Sequence, residues 1–213
     1  MKIICLIFAA VSGFSSPLFA AENLLANPGV EDELEGWKLA VPSDSEERGA
    51  MVEASLQAAR TGKFGLLLNC PEAVRYSVYP LEKKVQSLSP AERYCVSVWV
   101  RAGKEFVQSP NSPGFYIRVT LDSAPGVTIE TGHLFFGLKP RGISGGLSGL
   151  RGLGVELVPT KWTKVSAVFE IPSDTTSMTL NFFVDRASGP LYLDDASLTR
   201  VGALEELTPL QSE

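Results

Sequence analysis

The chain has 213 residues, of which 45% are hydrophobic and 20% charged, and its formal net charge is -5. That is enough apolar material for one domain with a large core, and the mildly acidic balance argues against nucleic acid or an anionic lipid surface as partner. His133 is the sole histidine, which excludes a multi-histidine metal site.

Residues 1–20 read as a secretory signal peptide. Lys2 supplies a short basic region, Ile3 to Phe14 an apolar run, and Ser15 to Ala20 a short segment ending in a small residue, with cleavage after Ala20 or Ala21. The apolar run falls short of the about 20 residues a membrane span needs. No second apolar span and no C-terminal anchor follow, so the sequence predicts an exported chain, periplasmic or extracellular, with no membrane insertion. Loss of the leader removes Cys5 and leaves Cys70 and Cys95. An oxidising compartment would permit these two to form a disulfide; the sequence leaves their bonding open, because it does not give the Cα separation such a bond requires.

The folded part opens on "NLLANPGVEDELEGWKL", Asn23 to Leu39: a strand-like start, an Asn-Pro-Gly turn, an acidic stretch and Gly36-Trp37. Glu46 to Ala59 is the best stretch for a helix. Arg60-Thr61-Gly62-Lys63 is a turn. "FGLLLNC", Phe64 to Cys70, is apolar on both faces, as a central strand would be. Tyr76 and Tyr79 lie near Pro80, where they would shield an edge. "YCVSVWVRA" sets Tyr94, Val96, Val98 and Val100 against Cys95, Ser97, Trp99 and Arg101. After a Pro- and Gly-rich turn, Ser109 to Gly114, "FYIRVTLD" sets Phe115, Ile117, Val119 and Leu121 against Tyr116, Arg118, Thr120 and Asp122. His133 lies on or beside a strand in "ETGHLFFG". Gly137 to Gly154 is glycine-rich without the Lys-Ser/Thr pairing of a phosphate-cradling loop, and reads as a long loop. Trp162 opens "TKVSAVFEI", which sets Val165, Ala167, Phe169 and Ile171 against Lys164, Ser166, Val168 and Glu170. "TLNFFVD" sets Leu180, Phe182 and Val184 against Asn181, Phe183 and Asp185, and "PLYLDDASL" runs from Pro190 to Leu198. Period-two alternation means one face buried and one facing water or ligand. Many short strands separated by turn residues, with no βαβ rhythm, predict an all-β antiparallel sandwich or jelly roll.

Taken in order, Asn23-Leu24-Leu25, Asn27-Pro28-Gly29, Glu31, Gly36-Trp37, Thr61-Gly62-Lys63 with its following strand, "LSPAERYCVSVWVRA", Lys161-Trp162-Thr163 and Leu191 to Leu198 resemble carbohydrate-binding modules of the family four and nine type. The resemblance spans Asn23 to Leu198 and implies a galactose-binding-like jelly roll whose first and last strands lie together. With the leader read above, the chain is expected to divide into a leader (1–20), a carbohydrate-binding-like domain (21–200) and a flexible tail (201–213). The resemblance also implies a structural calcium ion at that junction, with carboxylates from Glu31 and Asp194 and backbone carbonyls from Thr61 and Lys63, Asp195 being the substitute for Asp194. Hard cations favour such mixed oxygen sets. Without an ion, Asp194 and Asp195 would cap a strand end and Glu31 would be solvated.

Sugars present flat apolar faces and a rim of hydroxyls, so binders offer aromatic rings flanked by amide, carboxylate and guanidinium groups. The non-core strand faces carry Trp99 and Arg101, Tyr116 and Arg118, and Asn181, Phe183 and Asp185; on adjacent strands these rows would form one groove. Trp37 and Trp162 read as packing residues, and Trp99 as either core or platform. The favoured function is non-catalytic binding of a poly- or oligosaccharide by an exported domain. A protein–protein or envelope module is the alternative, which would bring a protein partner, and a small β-sandwich polysaccharide-active enzyme the third. An enzyme is disfavoured: no carboxylate sits in a catalytic motif and no Gly-x-Ser-x-Gly elbow is present.

Overall fold

A computed structural model describes residues 22–42, 47–80, 92–110, 112–123, 133–137, 150–152, 157–172 and 175–202. The expected leader and the expected tail beyond 202 lie outside them. The described strands are β1 (Trp37–Ala40), β2 (Met51–Ser55), β3 (Gly65–Asn69), β4 (Val74–Pro80), β5 (Arg93–Ala102), β6 (Val107–Gln108), β7 (Gly114–Ser123), β8 (His133–Gly137), β9 (Leu150–Gly152), β10 (Thr163–Glu170), β11 (Thr175–Ser188) and β12 (Leu191–Val201). They form two sheets. One runs β1-β4-β11-β7-β8-β9, with β6 on the edge of β11, and the other runs β10-β5-β12-β3-β2. The pairings are antiparallel, except that β8 and β9 run parallel. This is the expected all-β jelly-roll sandwich.

The alternation seen in the sequence builds the core. Val96, Val98 and Val100 of β5, Phe115, Ile117 and Val119 of β7, Val165, Ala167 and Phe169 of β10, and Leu180, Phe182 and Val184 of β11 all point between the sheets and are buried. Each of these side chains other than Ala167 contributes about 1.5–3 kcal/mol by leaving water. Trp37 is core as expected, 5% exposed, tilted against Phe182 at a ring separation of 5.8 Å.

Two expectations are corrected here. The stretch offered as a helix instead forms β2 followed by one 3-10 turn, Leu56–Ala58. Val52 and Ala54 pack on the core while Met51 and Glu53 are exposed, and that period-two pattern pairs with β3. Tyr76 and Tyr79 do not shield an edge: β4 lies between β1 and β11, with Tyr76 in the core and Tyr79 facing out. Of the glycine-rich segment 137–154, Leu150–Gly152 is strand β9, and most of the rest lies outside the described residues.

The two ends of the fold meet. The Leu24 amide donates to the Leu198 carbonyl (2.8 Å), and Ala196 N–H to the Pro28 carbonyl (3.0 Å). The Asn23 side chain bridges the same pair of segments, giving its amide to Ala196 O (3.0 Å) and accepting from Leu198 N–H (3.1 Å). Asn27 holds the following loop. It sits at φ 43, in the left-handed region that asparagine tolerates. Its amide donates to the carbonyls of Glu33 (3.0 Å) and Glu35 (2.8 Å), while its own carbonyl accepts the Trp37 indole N–H (2.9 Å).

Candidate functional site

The seven side chains expected to bind ligand divide between the two sheets. Trp99 and Arg101 belong to β5 in the five-stranded sheet; Tyr116 and Arg118 (β7) and Asn181, Phe183 and Asp185 (β11) belong to the seven-stranded sheet. Both sets face away from the core, on opposite sides of the sandwich, so the single groove does not exist. Alternation fixes the face a residue occupies on its own strand; it carries no information on which sheet the strand joins.

On the five-stranded side the aromatic rings are already covered by arginines. The Arg60 guanidinium stacks 3.8 Å over Trp99, and Arg101 lies between Tyr192 (4.4 Å) and Trp162 (5.0 Å) while donating to the Gln57 carbonyl (2.7 Å). Such stacks stabilise a half-exposed surface and leave little free ring face for a sugar. Cys95 also faces this side, its thiol 3.4 Å from Ser166 Oγ, whereas the Cys70 thiol is buried in the core and donates to Arg48 O. Both are free thiols pointing to different sides of the sheet, so the disulfide considered for them does not form in this structure.

The seven-stranded side holds the candidate site. Phe183 of β11 is in register with Tyr116 of β7, and the rings stack in parallel, 4.9 Å apart with 6° between their planes. The neighbouring register pair is Asn181 and Arg118, and the Arg118 guanidinium lies 4.6 Å over the Phe183 ring. Tyr79 of β4 faces out on the same sheet, paired across to Lys38 of β1. Tyr116 is 2% exposed, and burial pushes its phenol up to about 12. Burial pulls the Arg118 guanidinium below its ordinary value; Tyr116 opposes that, and the like charge of Arg75 adds to it. Arg118 Nε is buried without an acceptor. Neither Arg118 nor Asn181 makes a side-chain hydrogen bond among the described residues. Side by side, they present unengaged N–H donors and an amide carbonyl next to an aromatic pair.

Asp185, expected as a ligand residue, has another task. It is fully buried at the irregular step where β11 meets β4, between Val184 and Ala187, beside Arg186 at φ 44. Its carboxylate accepts from Arg75 Nε and Arg186 Nε (3.2 Å), and the Ser112 hydroxyl lies against it (3.0 Å) and against its own carbonyl. It anchors the rim of the face and is not available to a ligand. The sequence reading missed Arg75 and Ser112. The alternation of "VRYSVY" puts Arg75, Ser77 and Tyr79 on one face, which was signal enough for Arg75; Ser112 lies in a turn, where no periodicity marks it.

The seam holds the other expected cluster. Asp194 and Asp195 sit where β12 shifts register against β5, with Asp195 at φ 48, a bulge that sets consecutive carboxylates beside one turn. That turn is Arg60 to Lys63. Asp194 is 1% exposed; its Oδ2 accepts from the amides of Arg60 (2.6 Å) and Thr61 (3.1 Å), and its Oδ1 from Asp195 N–H (2.7 Å). Burial raises the Asp194 carboxyl, and those three N–H groups and then the charge of Asp195 modify the shift. Asp195 accepts from the Arg60 guanidinium (2.5 Å) and the Thr61 hydroxyl (2.7 Å). Glu31 reaches the same turn from the other chain end, both oxygens accepting from Lys63 N–H (3.0 and 2.9 Å). Gly62, at φ 62, gives it room: a Cβ there would overlap the Glu31 carboxylate. No group of three or more His, Cys, Asp or Glu side chains among the described residues could hold a metal ion, so an ion at this place would draw on backbone carbonyls as well. The donor set suits a hard cation in that sense: two carboxylates with lone pairs to spare, converging on one turn.

No family model matches the chain, and no curated protein matches it. Solved structures do. The enzymatically active domain of tailspike protein 4 from bacteriophage CBA120 superposes with a TM-score of 0.57 at 10% identity, over 84% of this chain and 21% of that one, so the chain spans about a fifth of its length. The C-terminal family 22 carbohydrate-binding module of Clostridium thermocellum xylanase 10B gives 0.52 at 18% identity, over 84% of this chain and 94% of that one. A family 16 carbohydrate-binding module gives 0.50 at 17% identity, over 83% and 99%. These likenesses establish the jelly-roll architecture that carbohydrate-binding modules share with this chain.

Proposed function

We propose that this chain is an exported, non-catalytic carbohydrate-binding domain of the family four and nine type, comprising residues 21–200 between a leader and a tail. The glycan lies on the outer face of the seven-stranded sheet, where Arg118 and Asn181 engage sugar hydroxyls and the Tyr116–Phe183 stack supplies the apolar floor. The observation that carries the reading is the register pair of Arg118 and Asn181, two adjacent polar side chains that make no side-chain hydrogen bond among the described residues, in a fold shared with binding modules. Arg118 Nε is buried without an acceptor, and such a group costs free energy unless something completes it. A saccharide does so with hydroxyls that both donate and accept. The binding reading is also favoured over an enzymatic one because Asp185, the buried carboxylate of this face, is neutralised by two guanidinium groups. An acid–base pair would need two carboxylates facing one cleft.

A calcium ion at the seam belongs to the same proposal. Glu31 and Asp194, with the carbonyls of Thr61 and Lys63, would hold it, and it would neutralise the acids and tie the chain ends together. The test of binding is affinity electrophoresis in gels cast with a panel of polysaccharides. The expected result is retardation by at least one polymer, weakened about tenfold or more in Asn181→Ala (a lost hydrogen bond in a desolvated contact) and unchanged in Trp99→Ala on the opposite sheet. A correctly folded protein that no polysaccharide retards would refute it, and recovery of a protein partner would then favour the interaction-module alternative.

A further inference from the structure

We infer that the glycan taken by the seven-stranded face is an acidic one, whose carboxylates are received by Arg118. This rests on the carbohydrate-binding reading above and names the class of sugar. Arg118 lies against Phe183, is half-buried, has no ion pair among the described residues, and keeps its Nε buried without an acceptor. Among the described residues, the carboxylates that could serve it from its own face are engaged elsewhere. Asp185 is taken by Arg75, Arg186 and Ser112, and Asp122, four residues along β7, accepts the Ser177 hydroxyl (2.6 Å).

The charge of the face points the same way. Among the described residues of the face, Lys38, Arg75, Arg118 and Arg186 stand against Asp122 and Asp185, an excess of cations in a chain whose net charge is -5. A neutral sugar would satisfy the N–H groups of Arg118 and leave its charge without a counter-ion in a partly dry site. A uronate does both, because the guanidinium fork matches a carboxylate bidentately.

The probes are polygalacturonate and alginate, each paired with the same polymer after its carboxyls are esterified, alongside neutral β-glucan. The purified protein is expected to be retarded by at least one acid polymer and about tenfold less by its ester, with the difference shrinking as salt is added. Arg118→Gln, with its melting temperature checked against wild type, should abolish the preference for the acid form. Arg118→Lys should recover part of it, having the charge without the fork. Equal retardation by acid and ester, or a folded Arg118→Gln that keeps the preference, would overturn the inference. Retardation by β-glucan alone would overturn it while leaving the carbohydrate-binding reading in place, and retardation by none of the polymers would overturn both.

Discussion

Tyr116 shows how one side chain serves both packing and site. Its ring is stacked on Phe183 and its phenol is buried beside Arg75 and Arg118, so the folded state favours the neutral form. An unfolded tyrosine titrates near 10. The stability that comes from keeping Tyr116 protonated is therefore fully present below about 10 and is lost as the pH climbs to about 12, where the folded group ionises. Tyr76 and Tyr94 shift in the same direction through burial, so the wild type should lose stability steeply between pH 10 and 12. Tyr116→Phe should lose less over that range. Denaturant midpoints measured across the range check this; identical slopes for the two proteins would mean that the Tyr116 phenol ionises in the folded protein as it does in the unfolded one.

At the scale of elements, two irregular steps decide where the acids sit. One lies late in β11 and one early in β12, each beside a residue at positive φ: Arg186 and Asp195. Each buries an aspartate whose charge is then met by N–H donors. The sequence showed the faces of β5, β7, β10 and β11 because burial imposes period two on every strand of a sandwich. It could not show that β5 and β7 part into different sheets, since that depends on pairings between distant segments. Nor could it show that Trp99 lies under Arg60, because both residues look available when read one at a time. The meeting of Glu31, Asp194 and the Gly62 turn was legible only through resemblance to a family, as nothing in local spacing joins residues so far apart. That meeting makes Gly62→Ala informative. The substitution forces a Cβ into a left-handed backbone and into the Glu31 carboxylate, and should cost roughly 1–3 kcal/mol in urea unfolding. A variant as stable as wild type would show that the turn and the carboxylate are not tied.

For the molecule as a whole, stability rests on closing a sandwich whose first and last segments are neighbours. A bound ion at that place would stabilise the folded chain by mass action, because the unfolded chain scatters its ligands. Melting in calcium at about a hundredfold excess over Kd should then exceed melting in chelator by roughly 5–10 °C for a domain of this size. Asp194→Asn should erase the difference and also lower the melting temperature in chelator, because its amide group would meet the N–H of Asp195. Equal melting with and without calcium would remove the ion from the seam and leave the N–H groups as its whole neutralisation.

The contacts between the two ends also set how the domain answers a mechanical load. Leu24 is bonded to Leu198 near the outer limit of the folded chain, and Pro28 to Ala196 farther in. Tension applied through both ends reaches these bonds one after another, as when tape is peeled, and not all together as in shear. On the N-terminal side the outermost bond breaks first, the next follows, and the Glu31 loop is drawn away from the Lys63 amide, while the C-terminal pull falls on β12, held to β5 as far as Val201. A domain anchored at one end and pulled at the other would therefore yield first at its N-terminal segment, and would give up the Glu31 contact before the seven-stranded sheet opens.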